Sequence, residues 1–398
     1  MDDQHKGTLN NIKTCNVKLE SLESQNTNNT IFLFAFIILL KNGSSQKHPA
    51  GKSKLDIGVN FIQKLCDSYV LSHLNPFSLA SGSLCLKHPD IFHNNDMLDI
   101  MWHRGLYDSN LLIGYRNPKP LCHGQHSLTL QHSISPEVRI HGIPMNNFSQ
   151  SASQGLSFSK LSIGLDFDEP STSKWRTSTG VQFKHLHFIN DCDQSISRDL
   201  DGFPVTCSGE SYDNMIVADQ KTQFEDINYH SFNHFNLQME QGLSLRPNLL
   251  TFNRLKFFAS NGFKLGPVVF SSRLTGGSIV GSFGPHQAFT IGGANSVRGY
   301  GEGAVGCGQS CLISKIEMAI LLNEKVTNVF FLDSGSDLRS SHRVPGNPGQ
   351  RQSKPGYGYG IGCGIRFKTK LARIKLDYAI NAFQQRSFYF GISNNLAI

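Results

Sequence analysis

The residues whose types and spacing could do chemistry lie in a glycine-rich stretch, FTIGGANSVRGYGEGAVG, which spans residues 289–306. Six of its residues are glycine, and Gly301, Gly303 and Gly306 fit the GxGxxG pattern of nucleotide-binding loops. That pattern binds phosphate only where a buried strand precedes it and a helix follows it. The sequence that follows, CGQSCLISKIEMAILL, alternates polar and apolar residues and predicts a strand. Dinucleotide binding is therefore disfavoured.

Arg298 suggests a different chemistry for the same stretch, an ion pair buried inside the protein. An unpaired buried charge is costly, and the planar guanidinium fits a carboxylate through two hydrogen bonds. Glu317 in SKIEMAI and Asp333 in VFFLDSG lie on the polar faces of two predicted strands. We predict that these acids hold Arg298. Its neighbours Gly299 and Tyr300 belong to the same predicted site. The alternative is that both acids are ordinary solvated residues.

A second glycine pattern predicts where the arginine-bearing stretch could lie. In YGYGIGCGIRF, alternation places Gly358, Gly360, Gly362 and Gly364 on one face of a strand, with Arg366 at its end. Glycines inside a strand often mark the close approach of another chain segment. We therefore predict a furrow of bare backbone that receives the glycine-rich stretch.

Other patterns do not predict a metal site, a cofactor or an enzyme active site. His185 and His187 share one face of a strand, but no third ligand follows at a useful spacing. The sequence DSGSDLRS, which begins at Asp333, lacks the glycine and glutamate of an EF-hand calcium loop. We find no serine–histidine–aspartate or cysteine–histidine arrangement with a supporting motif.

Composition separates the remaining classes of protein. Of 398 residues, 39% are hydrophobic and only 17% are charged, while the net charge is +7. Runs of lysine and arginine with interleaved aromatic residues are missing, so nucleic acid is not an expected partner. The nine cysteines form no CxxC pair and predict neither a disulfide framework nor a zinc site.

Alternating polar and apolar residues dominate the chain from Lys54 onward and predict an all-β fold. The segments FNLQME, RLKFFA and RIKLDYAI show the pattern, and in SFYFGI the residues Phe388 and Phe390 share one face. The polar faces are charged and the apolar faces rich in aromatic residues, as in a transmembrane barrel. Residues 54–392 give room for about sixteen strands at about twenty residues each. A soluble sandwich or propeller is the alternative.

The amino-terminal part has a different texture. Residues 1–54 are rich in asparagine, serine and lysine, and we predict a disordered leader followed by a barrel over residues 55–398. The apolar run Ile31–Leu40 has ten residues, whereas a membrane helix needs about 20. We therefore expect neither an ordinary signal peptide nor a transit peptide in this part.

Several of these motifs, in this order, resemble the outer membrane protein 85 superfamily of barrel-assembly and translocation proteins. They are VRGYGEG, FLDSG, GYGIGCGIRF and the closing strand SFYFGI. With KLDIGVNF, RGLYDSN, SRDLDGFPVTCSG, LTGGSIVG, VPGNP and LDYAINAF, the chain is similar to the barrel domain of the outer envelope protein 80 group of plant chloroplasts. The resemblance runs from about Lys54 to the end of the chain.

The resemblance implies a sixteen-stranded barrel in the chloroplast outer envelope. Residues 290–306 would fold into the lumen, with Arg298 at the tip and Glu317 and Asp333 on the wall. The implied work is insertion of barrel proteins or passage of polypeptides. It would use a seam between KLDIGVNF and the strand that carries Phe388 and Phe390.

The resemblance implies that full-length members carry POTRA domains before the barrel, which gather client polypeptides, and each domain takes about 70 to 80 residues, the size of a small domain. The predicted leader is shorter and not globular, so we expect a form without POTRA domains. Expected partners are the lipid bilayer, client barrel polypeptides and full-length POTRA-bearing relatives. The alternative is a passive channel for ions or solutes.

Overall fold

The structure is a computed structural model, and it describes most of one compact unit, Gly51–Ile398. The described residues are 54–61, 80–89, 96–104, 109–117, 124–136, 142–145, 148–151, 157–169, 174–190, 194–199, 201–369 and 372–394. The other unit is Met1–Ala50, and the predicted leader with its apolar run lies outside the described residues.

The described residues form twenty strands, joined by turns and short helical segments. The strands are β1 Lys54–Phe61, β2 Ala80–Pro89, β3 Met97–Arg104, β4 Ser109–Asn117, β5 Gln125–Pro136, β6 Gly142–Met145, β7 Phe148–Ser151, β8 Ser157–Asp168, β9 Trp175–Ile189, β10 Tyr212–Ile227, β11 Ser231–Gly242, β12 Phe252–Leu265, β13 Val268–Gly281, β14 Phe289–Ile291, β15 Gly306–Gly308, β16 Ser310–Leu321, β17 Val326–Ser336, β18 Tyr357–Lys368, β19 Ala372–Asn381 and β20 Arg386–Asn394. The helical segments are 3-10 turns at Pro285–Gln287 and Ser341–Arg343 and one α-helical turn, α1, at Pro348–Arg351.

Sixteen of these strands form one antiparallel sheet, as the alternation predicted. Its order is β1-β2-β3-β4-β5-β8-β9-β10-β11-β12-β13-β16-β17-β18-β19-β20, while β6 pairs with β7 and β14 with β15. Cα atoms of β1 and β20, the two end strands, approach within 8 Å of each other. In the part of the chain that the structure describes, no hydrogen-bonded ladder joins these two strands. Their junction is called the seam below.

The two faces of the sheet differ as a membrane barrel requires. On β18, the side chains of Tyr357, Tyr359 and Ile361 are 58%, 44% and 56% exposed, whereas Gly358 and Gly360 between them are buried. Large apolar side chains thus point outward and glycines point inward, which is the arrangement of a barrel in lipid. Across the described ranges, no helix has the length and apolar character that a membrane span needs.

The two ends of the barrel are built differently. At one end the strands turn over few residues, such as 228–230, 266–267 and 322–325, and this is called the turn end. At the other, the loop end, the connections are long and fold over the lumen, including residues 282–309 and 337–356. An apolar core lies beneath these loops, formed by Leu186, Met215, Val217, Leu250, Phe252, Ile279, Phe283, Ala288, Cys307 and Val344. The long loops are therefore packed into the barrel.

Candidate functional site

The glycine-rich stretch folds back into the barrel as a small hairpin. Its strands β14 and β15 pair from Phe289 with Gly308 to Ile291 with Gly306. Ile291, Val297 and Val305 are fully buried, in a second apolar cluster with Tyr300, Ala304, Cys311 and Ile313. Residues 282–309 are called the lumenal loop. The loop is held by hydrophobic burial as well as by polar bonds.

The strand β16 follows this hairpin, so the GxGxxG glycines do not precede a helix. Gly303 instead adopts a φ of 69° in the turn between β14 and β15. Gly299, next to Arg298, has a φ of 98°, and a Cβ there would lie 3.0 Å from the Cβ of Asn381. Both positions favour glycine because of their positive φ, Gly299 also for space, and neither serves a phosphate.

Arg298 lies inside the barrel wall and binds Asp333 through two hydrogen bonds from one edge of its guanidinium. Its Nε donates to Asp333 Oδ2 at 2.6 Å and its Nη2 to Asp333 Oδ1 at 2.8 Å. Its backbone N–H donates to the same carboxylate at 3.1 Å. Arg298 is 1% exposed and Asp333 is fully buried. The buried charge of Arg298 is tolerated because the donors that face Asp333 all form hydrogen bonds with its carboxylate.

Two further acids complete the coordination of the guanidinium. Arg298 Nη2 lies 2.7 Å from Glu317 Oε1, and Nη1 lies 3.3 Å from Asp377 Oδ2. The guanidinium carbon stacks 3.5 Å above the centre of the Phe331 ring. Arg298, Glu317, Asp333 and Asp377 are together called the arginine cluster. The cluster joins the lumenal loop to three wall strands, β16, β17 and β19.

The electrostatics of the cluster keep the arginine charged. Burial by itself would lower the pKa of Arg298, but the hydrogen bonds to Asp333 and the charges of Asp333, Glu317 and Asp377 raise it above its ordinary value. Lys315 Nζ lies 4.0 Å from Asp333 and 3.4 Å from the carbonyl of Ala294, to which it donates. The guanidinium therefore stays positively charged beside its three carboxylates at neutral pH.

The predicted glycine furrow is divided between two occupants. A Cβ at Gly360 would overlap the carbonyl oxygen of Arg298, and one at Gly358 would lie 2.9 Å from the Tyr300 ring. These two positions receive the lumenal loop. Gly362 and Gly364 instead face the neighbouring strand, its backbone carbonyls and the side chains of Phe331 and Asp377.

Arg366, at the end of the furrow, binds the acid of the arginine cluster that the sequence analysis did not identify. Its Nη1 donates to Asp377 Oδ1, and Lys375 Nζ lies 3.2 Å from the other carboxylate oxygen. Asp377 belongs to RIKLDYAI, which was predicted to alternate, but it was not assigned to Arg298. One signal could have identified it. Asp377 lies two residues from Lys375, so alternation places both side chains on the inward face of the strand.

The strand β20 and the last residue of β19 hold the backbone beside Arg298. Tyr389 Oη accepts from the N–H of Gly299 at 2.8 Å and donates to the carbonyl of Tyr300 at 3.0 Å. Asn381 Nδ2 and Ser387 Oγ donate to the carbonyl of Gly299 at 3.1 Å and 3.3 Å. Sequence reasoning missed these three residues, because hydroxyl and amide groups at an inner face carry no pattern of their own.

Phe388 and Phe390 lie on the opposite, outer face of β20. Phe388 is 56% exposed and its ring packs 4.8 Å from that of Tyr378, while Phe390 is half-buried. The end strand of the sheet thus has an aromatic lipid face and an inner face that contacts the lumenal loop.

The histidine pair forms ordinary hydrogen bonds. His185 Nδ1 lies 2.7 Å from Asn214 Oδ1, and His187 Nε2 lies 2.7 Å from Ser195 Oγ. Within the described ranges, no group of three metal-ligating side chains comes together.

Comparison with known proteins places this geometry in a family. The Omp85 superfamily domain matches residues 91–396. The chloroplastic outer envelope protein 39 of Arabidopsis thaliana is 49% identical over 356 residues, which cover 88% of this chain and 98% of that protein. The chloroplastic outer envelope protein 80 of the same plant is 33% identical, and the match covers 89% of this chain but 49% of that protein.

A solved structure gives the same fold. BamA from Haemophilus ducreyi lacking POTRA domains 1-3 superposes with a TM-score of 0.65 at 11% sequence identity, over 86% of this chain and 70% of that one. The matched family consists of membrane barrels and not of enzymes. The soluble sandwich and propeller alternatives are thereby excluded, and the expected fold is confirmed. The chain belongs to the Omp85 superfamily and is a β-barrel protein of the chloroplast outer envelope.

Proposed function

We propose that this protein assists the insertion of β-barrel proteins into the chloroplast outer envelope, or the passage of polypeptides across it. The observation that carries this proposal is the attachment of the lumenal loop to β20, the end strand at the seam. Tyr389 binds the loop backbone at Gly299 and Tyr300, directly beside the arginine cluster. The same group of contacts therefore holds the lumenal loop and β20, which forms one side of the seam.

The mechanism uses the unpaired edges of the end strands. A strand edge presents free N–H and C=O groups, and an incoming strand can add to it by backbone hydrogen bonding. The lumenal loop holds β20 from inside, so β20 keeps its pairing with β19 when the junction with β1 separates. An incoming client hairpin then pairs with the exposed edge.

The partners in this scheme are lipids, client barrel polypeptides and POTRA-bearing relatives. The outer face offers exposed aromatic and aliphatic side chains such as Phe388 and Ile361 to lipid. Client polypeptides are gathered by POTRA domains in this family, so POTRA-bearing relatives could deliver clients to this barrel in trans.

Assembly of a labelled client barrel in liposomes tests the proposal. The count of heat-modifiable, protease-protected client is compared between empty liposomes, wild-type protein, Arg298→Ala and the control Arg343→Ala. Arg343 is an exposed arginine of the loop end outside the cluster. Acceleration by wild type and by Arg343→Ala, with a loss in Arg298→Ala, supports the proposal. Equal client assembly in empty and protein-containing liposomes contradicts it for this chain alone.

A passive channel is the second candidate, and charged side chains on the inner wall favour it. Lys184, Glu240 and Arg254 point inward from β9, β11 and β12, and each is only partly buried. Steady conductance in planar bilayers without any client, together with no gain in client assembly, would favour the channel over the insertase.

A further inference from the structure

The inner wall on strands β8–β12 carries a concentration of positive charge. Five cations project inward from β8, β9, β10 and β12, and they are called the basic wall. They are Lys160, Lys184, Lys221, Arg254 and Lys256. All five are half-buried, and each lies within electrostatic range of other members.

Strand register sets the spacing of these cations. Gln238 on β11 pairs with Lys221 on β10 and with Lys256 on β12. Because neighbouring strands lie about 4.8 Å apart, the two lysines originate about 10 Å apart on either side of one neutral amide. In the next inward row, Glu240 pairs with Asp219 and with Arg254. Two lysines thus flank one neutral amide on the inner face of the sheet.

Three of the five cations have a carboxylate within 4.0 Å, and two do not. Glu240 lies 3.5 Å from Arg254 and 4.0 Å from Lys184, and it also accepts from the Gln238 amide at 2.9 Å. Asp219 lies 3.3 Å from Lys221. Among the residues that the structure describes, neither Lys160 nor Lys256 has a carboxylate within 4.0 Å. These two lysines have no carboxylate in direct contact, although each loses part of its hydration.

A cavity lies at the turn end of the barrel, beyond the basic wall along the same strands. It has a volume of about 270 Å³ and is lined by Lys174, Arg176, Gln223, Glu225, Ile227 and His234. Gln223 lies two residues along β10 from Lys221, on the same inward face. At the far side, Arg254 stacks 4.9 Å from the Phe289 ring at the start of the lumenal loop. The basic wall therefore lies between an open cavity and the loop.

We propose that the basic wall is a binding site for a small phosphate-bearing anion that enters from the turn end. Ammonium groups act as point charges toward phosphate, and a guanidinium fits it through two hydrogen bonds. Cations lining a concave surface of low dielectric raise the local concentration of anions. The site faces the lumen rather than lipid, so the phosphate is that of a soluble molecule and not of a lipid head group.

Inorganic phosphate is the probe, titrated calorimetrically into the full chain folded in a detergent with a neutral head group. Wild type is compared with the double variant Lys160→Gln/Lys256→Gln and with Lys264→Gln, which removes an exposed lysine from the turn end of β12. We expect phosphate to bind wild type and Lys264→Gln alike, and to bind the double variant about tenfold or more weakly. Added phosphatidylglycerol should not compete.

Equal phosphate binding in wild type and the double variant overturns the proposal, as does the lack of binding to wild type. Competition by phosphatidylglycerol would reassign the binding to a lipid surface and overturn it too. A second measurement needs no variant: wild type in planar bilayers should prefer chloride to potassium in a salt gradient, and phosphate on the turn-end side should reduce the current. A preference for potassium that phosphate does not alter contradicts the site.

Discussion

Two regions of the inner wall treat charge in opposite ways. In the arginine cluster, the Arg298 guanidinium has three carboxylates within 3.3 Å, and Arg298, Asp333 and Asp377 are almost fully buried. On the basic wall, five cations share the carboxylates of Glu240 and Asp219 and stay half-buried. In the arginine cluster, the charge of the cation is balanced by carboxylates of the same chain. On the basic wall, the cations outnumber the carboxylates that contact them.

The arginine cluster therefore stabilises the fold, whereas the basic wall is suited to binding a ligand. A buried ion with all its hydrogen bonds made is strongly destabilised when one partner is removed, because the remaining charges stay buried. A half-buried cation without a partner contributes little to folding and is available to a ligand. Substitutions in the two regions should therefore change stability in opposite directions.

The largest expected effect comes from Arg298→Ala. The change leaves Asp333 and Asp377 buried without their shared cation, so the free energy of unfolding should fall by about 3–5 kcal/mol. Thermal unfolding in detergent measures the loss, and limited proteolysis should newly cut the lumenal loop. Arg343→Ala serves as the matched control and should change neither. Unchanged melting and an unchanged protease pattern in Arg298→Ala would show that the cluster does not hold the loop.

Gly360→Ala tests whether the furrow and the cluster act together. The added Cβ would overlap the carbonyl oxygen of Arg298 and push the loop off the wall, at a cost of about 1–3 kcal/mol in unfolding free energy. Gly391→Ala on β20 is the control, since its Cβ would have no atom nearer than Lys375 Cβ at 4.0 Å. Equal stability of the two variants, measured by thermal unfolding, would mean that the loop does not need the bare furrow.

Tyr389→Phe tests the link between the lumenal loop and the seam. Loss of the hydroxyl leaves the buried N–H of Gly299 and carbonyl of Tyr300 without this partner, which should cost about 1–2 kcal/mol. Tyr378→Phe removes a hydroxyl from the outer face of the adjacent strand and should be neutral. Hydrogen exchange at β20 gives the readout. Equal protection of β20 in both variants would contradict the coupling on which the proposed insertion mechanism depends.

Sequence alone predicted the fold and part of the cluster, and the reasons are physical. Strict alternation fixes which side chains share a face, so it predicted the strands, the inward glycines and the inward acids Glu317 and Asp333. It does not fix which inward residues meet across strands far apart in the chain, so Asp377 was not assigned to Arg298. Tyr389 was missed for a related reason, because its bonds are to loop backbone, which has no side-chain signature.

Lys256→Met should give the smallest effect. It should raise the free energy of unfolding, whereas the substitutions in the arginine cluster should lower it. Lys256 has no carboxylate within 4.0 Å among the described residues, so an apolar side chain of similar length removes the cost of a partly dehydrated charge. The free energy of unfolding should rise by up to about 1 kcal/mol in phosphate-free buffer. In phosphate, wild type should regain the advantage, since only a ligand that binds the folded state stabilises it by mass action. A variant less stable than wild type in both buffers would mean that the basic wall, like the arginine cluster, is already neutralised within the chain.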